Sequence, residues 1–265
     1  MPAVTTSADG TRIAYDRVGG GPTIVVVGGA LCARTTTRPL AEALAVRFTV
    51  FNYDRRGRGD SGDTAPYAVD REIEDLQALL REAGDTAAVY GHSSGAALVV
   101  RAAAHGSAIA AAVLHEPPYA PDTSARRQTR EQYTQQLDAL LAQNRRGDAV
   151  ALSNALVGVP AQVVAQWRSE PWWPGMEALA PTLAYDSAVL GHAGAGGTIP
   201  FELLSRITSP VLVITGGESP QWMNDIGRQA ADALLHGRHT VLEGHGHVVP
   251  PEVLVPVLTA FLGSN

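Results

Sequence analysis

The sequence predicts one large α/β domain with a helical segment inserted late in the chain, and three observations carry that expectation. The pentapeptide GHSSG, Gly91 to Gly95, follows an apolar run, DTAAVY, and precedes an alanine-rich stretch, AALVVRAAAHG, which together read as a strand, a tight turn and a helix. The chain closes in the same way, since TVLEGHGHVVPPEVLVPVLTAFL reads as a short strand, a polar turn and an amphipathic helix. Between the strand-like runs that end near Glu116 and begin near Ser209 lie about ninety residues, far more than an ordinary crossover helix requires. At 265 residues, 45% of them hydrophobic, the chain can bury a substantial core, and no boundary marks a second independent domain.

The G-x-S-x-G pattern needs its glycines because the turn is strained and crowded, and a side chain at either flank would clash with the neighbouring strand or helix. Ser93, at the apex, is the candidate nucleophile. A serine hydroxyl is weak at neutral pH, so this reading demands a histidine base and a carboxylate to orient it. Two histidines stand in the polar turn before the last helix, His245 and His247.

These segments resemble the α/β-hydrolase family, and the resemblance runs over nearly the whole chain. IVVVGGAL (Ile24 to Leu31) is similar to the strand and loop that supply half of that family's oxyanion hole, and FTVFNYDRRGRGDSG (Phe48 to Gly62) to the next strand and its Asp-Arg-x-Gly-x-Gly-x-Ser loop. GHSSG follows as the elbow, SPVLVITGGES (Ser209 to Ser219) resembles the late strand that usually carries the acid, and EGHGH (Glu243 to His247) the histidine loop. The resemblance implies a mostly parallel eight-stranded sheet flanked by helices. It also implies a core made of residues 1–118 and 207–265, a helical cap at 119–206, and chemistry without cofactor or metal.

The family pattern puts the base at the second position of the Gly-His pair leading into the helix, here His247. His245 is then a bystander, His92 packs away from the nucleophile, and His105, His115, His192, His236 and His239 have no second feature to recommend them. The acid departs from the pattern. Where the family commonly has an aspartate, three residues after the glycine ending the late strand, this chain has Ser219, which carries no charge. Glu116, in IAAAVLHEPPY, is the best replacement. It ends the strand after the elbow helix, adjacent strands are only about 4.8 Å apart, and Glu is one methylene longer than Asp. Some branches of the family, certain haloalkane dehalogenases and lipases among them, carry the acid there. Pro117 and Pro118 stiffen the exit. Glu218 is the alternative, Asp225 a remoter one, and pairing of Glu116 with Arg126 or Arg127 would leave it a structural residue.

The oxyanion hole needs two backbone N–H donors. Ser94, after the nucleophile and at a helix N-terminus, supplies one, and Ala30 supplies the other by matching Gly28-Gly29 to the family's His-Gly pair, with Leu31 as a substitute donor. Cys32 beside this loop is read as a small thiol lining the pocket, and as a single cysteine it excludes an internal disulfide and cysteine-based metal clusters. His245 and His247 lack a third ligand, so no zinc site is expected.

All twenty basic residues are arginine, which excludes Schiff-base and P-loop chemistry and, with the richness in Ala, Gly and Val, hints at a GC-rich bacterial genome. The net charge of −6 argues against nucleic-acid and anionic-membrane partners. Arg55, Arg56 and Arg58, the one dense basic cluster, are read as structural, with Asp54 and the neighbouring glycines. Without a basic start and apolar core near the N-terminus, and without a run of 18 or more apolar residues, the expectation is a soluble, cytoplasmic protein.

In the insertion, RRQTREQYTQQLDALLAQNRRGD reads as a helix with Tyr133, Leu137, Leu140 and Leu141 on one face and Gly147 at its end, followed by helices over 148–156, 160–168 and 176–190. GHAGAGG, residues 191–197, is the one strongly flexible stretch. Trp172, Trp173, Tyr119, Trp222 and Met223, together with Leu31 and Cys32, are candidate pocket residues, with Trp167 a further aromatic of the same region. They suggest an apolar acyl or aromatic small molecule as substrate. The expected function is therefore a carboxylesterase-type serine hydrolase. The alternatives are a tailoring enzyme acting on an amide, thioester, lactone or C–C bond or a non-hydrolytic cyclisation, and a small-molecule binding protein with little turnover.

Overall fold

The structure, a computed structural model, describes residues 1–84, 87–191 and 197–263. Its centre is an eight-stranded sheet: β1 (Ala3–Thr6), β2 (Arg12–Gly19), β3 (Thr23–Val27), β4 (Thr49–Tyr53), β5 (Ala88–His92), β6 (Ala112–His115), β7 (Val211–Gly216) and β8 (Gly237–Leu242). The strands lie in the order β1-β2-β4-β3-β5-β6-β7-β8, with β1 and β2 antiparallel at one edge and β4 onward parallel. A strand covered on both faces has no solvent side to present, which is why β4, β6 and β7, buried at every residue, are mostly apolar with no in-out alternation, their few polar residues such as Asn52 and His115 being buried too.

Helices α1 (Arg34–Leu44) and α11 (Pro251–Leu262) cover one face, where Leu44, Leu254 and Leu258 meet Ile24, Val26, Val113 and Ile214. Helices α2 (Val69–Ala83), α3 (Ser94–Ala104) and α10 (Gln221–Asp232) cover the other, burying Leu76, Leu98 and Ile226 against Val25, Val89 and Val213. None of the described helices is long and apolar enough to cross a membrane. The eight-stranded, mostly parallel sheet is the fold class that the sequence predicts.

Between β6 and β7 run α4 (Ser124–Ala142), α5 (Arg146–Leu156), α6 (Ala161–Trp167), α7 (Trp173–Leu179), a 3-10 turn (Ala180–Thr182), α8 (Leu183–Val189) and the short α9 (Phe201–Leu204). Tyr133, Leu137, Val150, Val164, Trp173 and Leu183 form an apolar cluster of their own, against which Ala30 and Leu31 pack from the sheet's edge. Gly147 does not end the first helix as the sequence suggests. The chain turns at Asn144, which takes a left-handed φ of 55°, and Gly147 lies inside α5. A Cβ on Gly147 would stand 2.4 Å from Glu177 Oε1, so glycine serves close helix packing there. Residues 192–196, most of the GHAGAGG stretch, and His192 with them, lie outside the described residues.

Because β3 and β5 to β8 are parallel, their C-terminal ends open on one edge, and the register puts His92 opposite His115 and His115 opposite Ile214. Residues 93, 116 and 216 therefore gather at neighbouring strand exits. This is the crevice where an open α/β sheet ordinarily binds its ligand.

Candidate active site

Ser93 stands between β5 and α3 with φ 54° and ψ −124°, a conformation that an L-residue adopts only where the surroundings enforce it. The flanking glycines show how. A Cβ on Gly91 would lie 2.7 Å from the Ala96 Cα, and one on Gly95 would lie 2.4 Å from the Val27 carbonyl oxygen, so helix and strands close on the turn from both sides. The Ser93 N–H donates to the His115 carbonyl at 2.9 Å, which ties the apex to the next strand.

One residue beyond His115, Glu116 also takes a left-handed φ, 45°, and is 1% exposed. Its Oε2 lies 2.5 Å from His247 Nδ1, while Oε1 accepts from the Gly216 N–H at 2.8 Å and from the Ser219 hydroxyl at 2.5 Å. Burial by itself would raise the carboxyl, but the hydrogen bonds from His247, Ser219 and Gly216 outweigh it and hold the pKa at about 2. Glu116 thus stays ionised, with one oxygen fixed by β7 and the other left for the imidazole. Ser219, at the position where the resemblance leads one to expect an acid, orients that acid instead.

Glu218 is exposed, with its N–H bonded to the His245 carbonyl, and Asp225 is engaged by Gln221 and Arg228 on α10. Arg127 pairs with Asp122. His245 has no side-chain contact with Glu116 among the described residues. His92 donates from Nε2 to the His247 carbonyl at 3.0 Å, its ring lying 4.6 Å from that of His247 and 4.9 Å from that of His115. Burial, then the neighbouring His115 and His247, push its pKa well below the usual histidine range, so it braces the histidine loop as a neutral ring.

The loop after β3 lies directly over the apex, for a Cβ on Gly29 would be 2.9 Å from the Ser93 Cβ. Leu31 takes a left-handed φ of 55°. Among the described residues, no hydrogen bond occupies the N–H of Ala30, Leu31 or Ser94. That of Ser94 is one of the N–H groups a helix start leaves without an intrahelical partner. Cys32 is half-buried behind this loop, its N–H on the Gly29 carbonyl and its thiol pushed up by burial.

The arginine cluster is structural in a more specific way than its sequence indicates. Arg56 pairs with Asp75 and Asp9. Arg55 pairs with Glu72 and also donates to Asp186 Oδ1 at 2.7 Å, and Arg58 donates to both Asp186 oxygens at 2.8 and 2.9 Å and to the Gly29 carbonyl at 2.6 Å. Asp186, on α8, accepts a third partner, the Ser94 hydroxyl, at 2.7 Å. One buried carboxylate thus joins the inserted helices, the loop after β4 and the residue after Ser93, and Arg58 carries the link on to the loop after β3. The sequence reading passed over Asp186, although its place at i+3 from Leu183 and i−3 from Val189 sets an acid on an apolar stripe.

Of the other candidate pocket residues, Trp222 and Met223 begin α10 beside the β7 exit, and Tyr119 is buried just past Glu116. Trp173 is instead packed in the insertion's own cluster under Arg168, and Trp172 is 46% exposed with its edge to Trp167. Among the described residues no hydrogen bond or ring contact joins either to Ser93, Glu116 or His247.

A family model described as the alpha/beta hydrolase family matches residues 23–254. The solved structure of an alpha/beta hydrolase from Sphaerobacter thermophilus is 48% identical and superposes with a TM-score of 0.88, covering 98% of this chain and 99% of that one. An esterase from Thermogutta terrifontis, 18% identical, shares the fold with a TM-score of 0.74 over 100% of this chain and 98% of its own. N-formylmaleamate deformylase from Pseudomonas putida is 37% identical over 117 residues, so the match spans 42% of this chain and less than half, 44%, of that protein.

Proposed function

The chain belongs to the alpha/beta hydrolase family, and we propose that it cleaves an ester or related acyl bond of a small molecule through Ser93, His247 and Glu116. The observation that carries the reading is the 2.5 Å contact between His247 Nδ1 and the buried Glu116 carboxylate, beside a serine held in a strained elbow. With Glu116 fixing Nδ1 in its protonated tautomer, Nε2 is free to take the Ser93 proton as the hydroxyl attacks the carbonyl carbon. The developing oxyanion is held by the N–H groups of Ser94 and Ala30, with Leu31 next in line, and the dipole of α3 adds to their field. The imidazolium, stabilised by Glu116, protonates the leaving group, and water then cleaves the acyl-enzyme by the reverse route. The inserted helices serve as a cap, and Leu31 with Trp222 gives the acyl chain an apolar wall.

Cleavage of an amide is a second reading, supported by the partial match to N-formylmaleamate deformylase, whose name describes removal of a formyl group from nitrogen. The same donors and base serve both bonds. The test is intact-protein mass spectrometry after incubation with a fluorophosphonate. Stoichiometric labelling of the wild type that vanishes in Ser93→Ala supports an activated serine, and an unlabelled wild type overturns the triad. A panel of matched esters and N-formyl amides then separates the two bond types.

A further inference from the structure

Helix α4 carries one stripe of Arg126, Arg130, Tyr133 and Leu137, spaced i, i+4, i+7 and i+11, which passes from exposed at Arg126 through half-buried at Arg130 to buried at Tyr133 and Leu137. Leu137 is fully buried in the cap's apolar cluster. Tyr133, also buried, has its hydroxyl near Ser153 and Ser187, beside the Asp186 that holds Ser94. At the other end the Arg126 guanidinium lies 4.6 Å over the ring of Trp222, at the β7 exit. The stripe therefore runs from Trp222, at the β7 exit, to the neighbourhood of Asp186, with Arg130 between its ends.

The Arg130 guanidinium faces the chain just past Glu116. Its Nη2 is 3.2 Å from the point where a Cβ on Gly197 would stand, and the Pro118 carbonyl oxygen is 3.6 Å from that same point. Two residues of extended chain span about 7 Å, so Pro118 sits within a small molecule's length of Glu116. Among the described residues Arg130 makes no ion pair, whereas Arg127, three residues earlier, pairs with Asp122. The adjoining residues 192–196, HAGAG, contain no acid. Burial, and then Arg126, push its pKa down, while Tyr133 opposes them. A guanidinium largely withdrawn from water is commonly paired with a carboxylate or phosphate fitted to its fork, and none of the described residues supplies one to Arg130.

We propose that Arg130 anchors a carboxylate carried by the substrate, which makes the substrate a short acyl compound bearing a negative charge remote from the scissile bond. The proposal rests on the hydrolase reading above and adds to it the substrate class. The apolar wall then holds the chain between the two polar ends.

Two measurements test it. The first compares kcat/KM for 4-nitrophenyl hydrogen adipate with that for 4-nitrophenyl hexanoate, in wild type, Arg130→Gln and Arg130→Lys. The expected result is an anionic-to-neutral ratio that falls by about tenfold or more in Arg130→Gln, mostly through KM, and is partly restored in Arg130→Lys. An unchanged ratio overturns the anchor. The second is calorimetric titration with adipate, which needs no turnover and so decides even if Ser93 proves unreactive. Adipate should bind the wild type and not Arg130→Gln, and neutral adipamide should bind neither. Equal binding to both proteins, or none to the wild type, sinks the proposal. Arg130→Gln should also melt at or above the wild-type temperature, because it removes an unpaired cation, and a lower melting temperature with an unchanged ratio marks a purely structural arginine.

Discussion

The Ser94 hydroxyl donates to the Asp186 carboxylate at 2.7 Å across 92 residues of sequence, so the residue after Ser93 is held from the inserted helices. Arg55 and Arg58 converge on the same carboxylate, and burial, which alone would raise its pKa, is outweighed by their charges. The contact couples the position of α8 to the peptide between Ser93 and Ser94.

Replacing Asp186 by Asn leaves two buried guanidinium groups short of a charge partner. Removing one member of a buried ion pair typically costs about 3–5 kcal/mol. Urea unfolding should show a loss of this size, whereas Asp148→Asn, at an exposed pair with Arg168 and Arg145, should change stability by under about 1 kcal/mol.

Glu116→Gln should slow acylation by up to about ten-thousandfold, since the imidazolium loses its charge partner and its fixed tautomer. The rate of fluorophosphonate incorporation measures this directly. Glu218→Gln and Asp225→Asn should stay near the wild-type rate, and a ranking with Glu218→Gln slowest moves the acid to the loop after β7.

Acid should unfold the protein in two stages. Burial holds His115 at a pKa of about 4 against an ordinary value of 6.5, so below 6.5 the unfolded chain takes up a proton that the fold refuses. Stability therefore falls as pH drops from about 6.5 towards 4, by about 3 kcal/mol for His115 alone, and His92 acts in the same direction. Glu116 has the opposite charge type: its folded pKa of about 2 lies below the ordinary 4.5, so its contribution is complete above 4.5 and is lost as pH falls from there to about 2. Urea midpoints taken at about pH 7.5, 5 and 3 should decrease at both intervals, and a flat response between the first two contradicts the neutral histidines.

Gly95→Ala should fail to give soluble, folded protein, because the added methyl meets the backbone oxygens of Val27 and Gly28 at 2.4 and 2.7 Å. Gly246→Ala, with nothing within 4 Å of the added carbon, should fold and melt close to wild type. Circular dichroism melts of the two variants check both outcomes.

The fold was legible because its central strands are covered on both faces and so appear as mostly apolar runs. Ser93, Glu116 and His247 were visible for a related reason, since each sits at a strand exit marked by glycine or proline. Asp186 was not, because its partner Arg55 lies 131 positions away and nothing local distinguishes it from a solvent-facing acid. Arg130 was hidden in a helix whose periodicity shows which side faces inward but not what it meets. Trp172 and Trp173 show the same limit: aromatic content indicates apolar burial somewhere, while the helix packing decides that Trp173 joins the cluster of the inserted helices and Trp172 meets solvent.

The hydroxyl of Ser219, 2.5 Å from Glu116 Oε1, also bears on the history of the site. An aspartate at position 219 would set a second carboxylate against Glu116, and two acids at such separation do not both stay ionised near neutral pH. A chain with neither acid loses the imidazolium's partner. Moving a carboxylate between positions 116 and 219 by single substitutions therefore passes through a chain in which two acids share one proton or one in which His247 has no acid beside it.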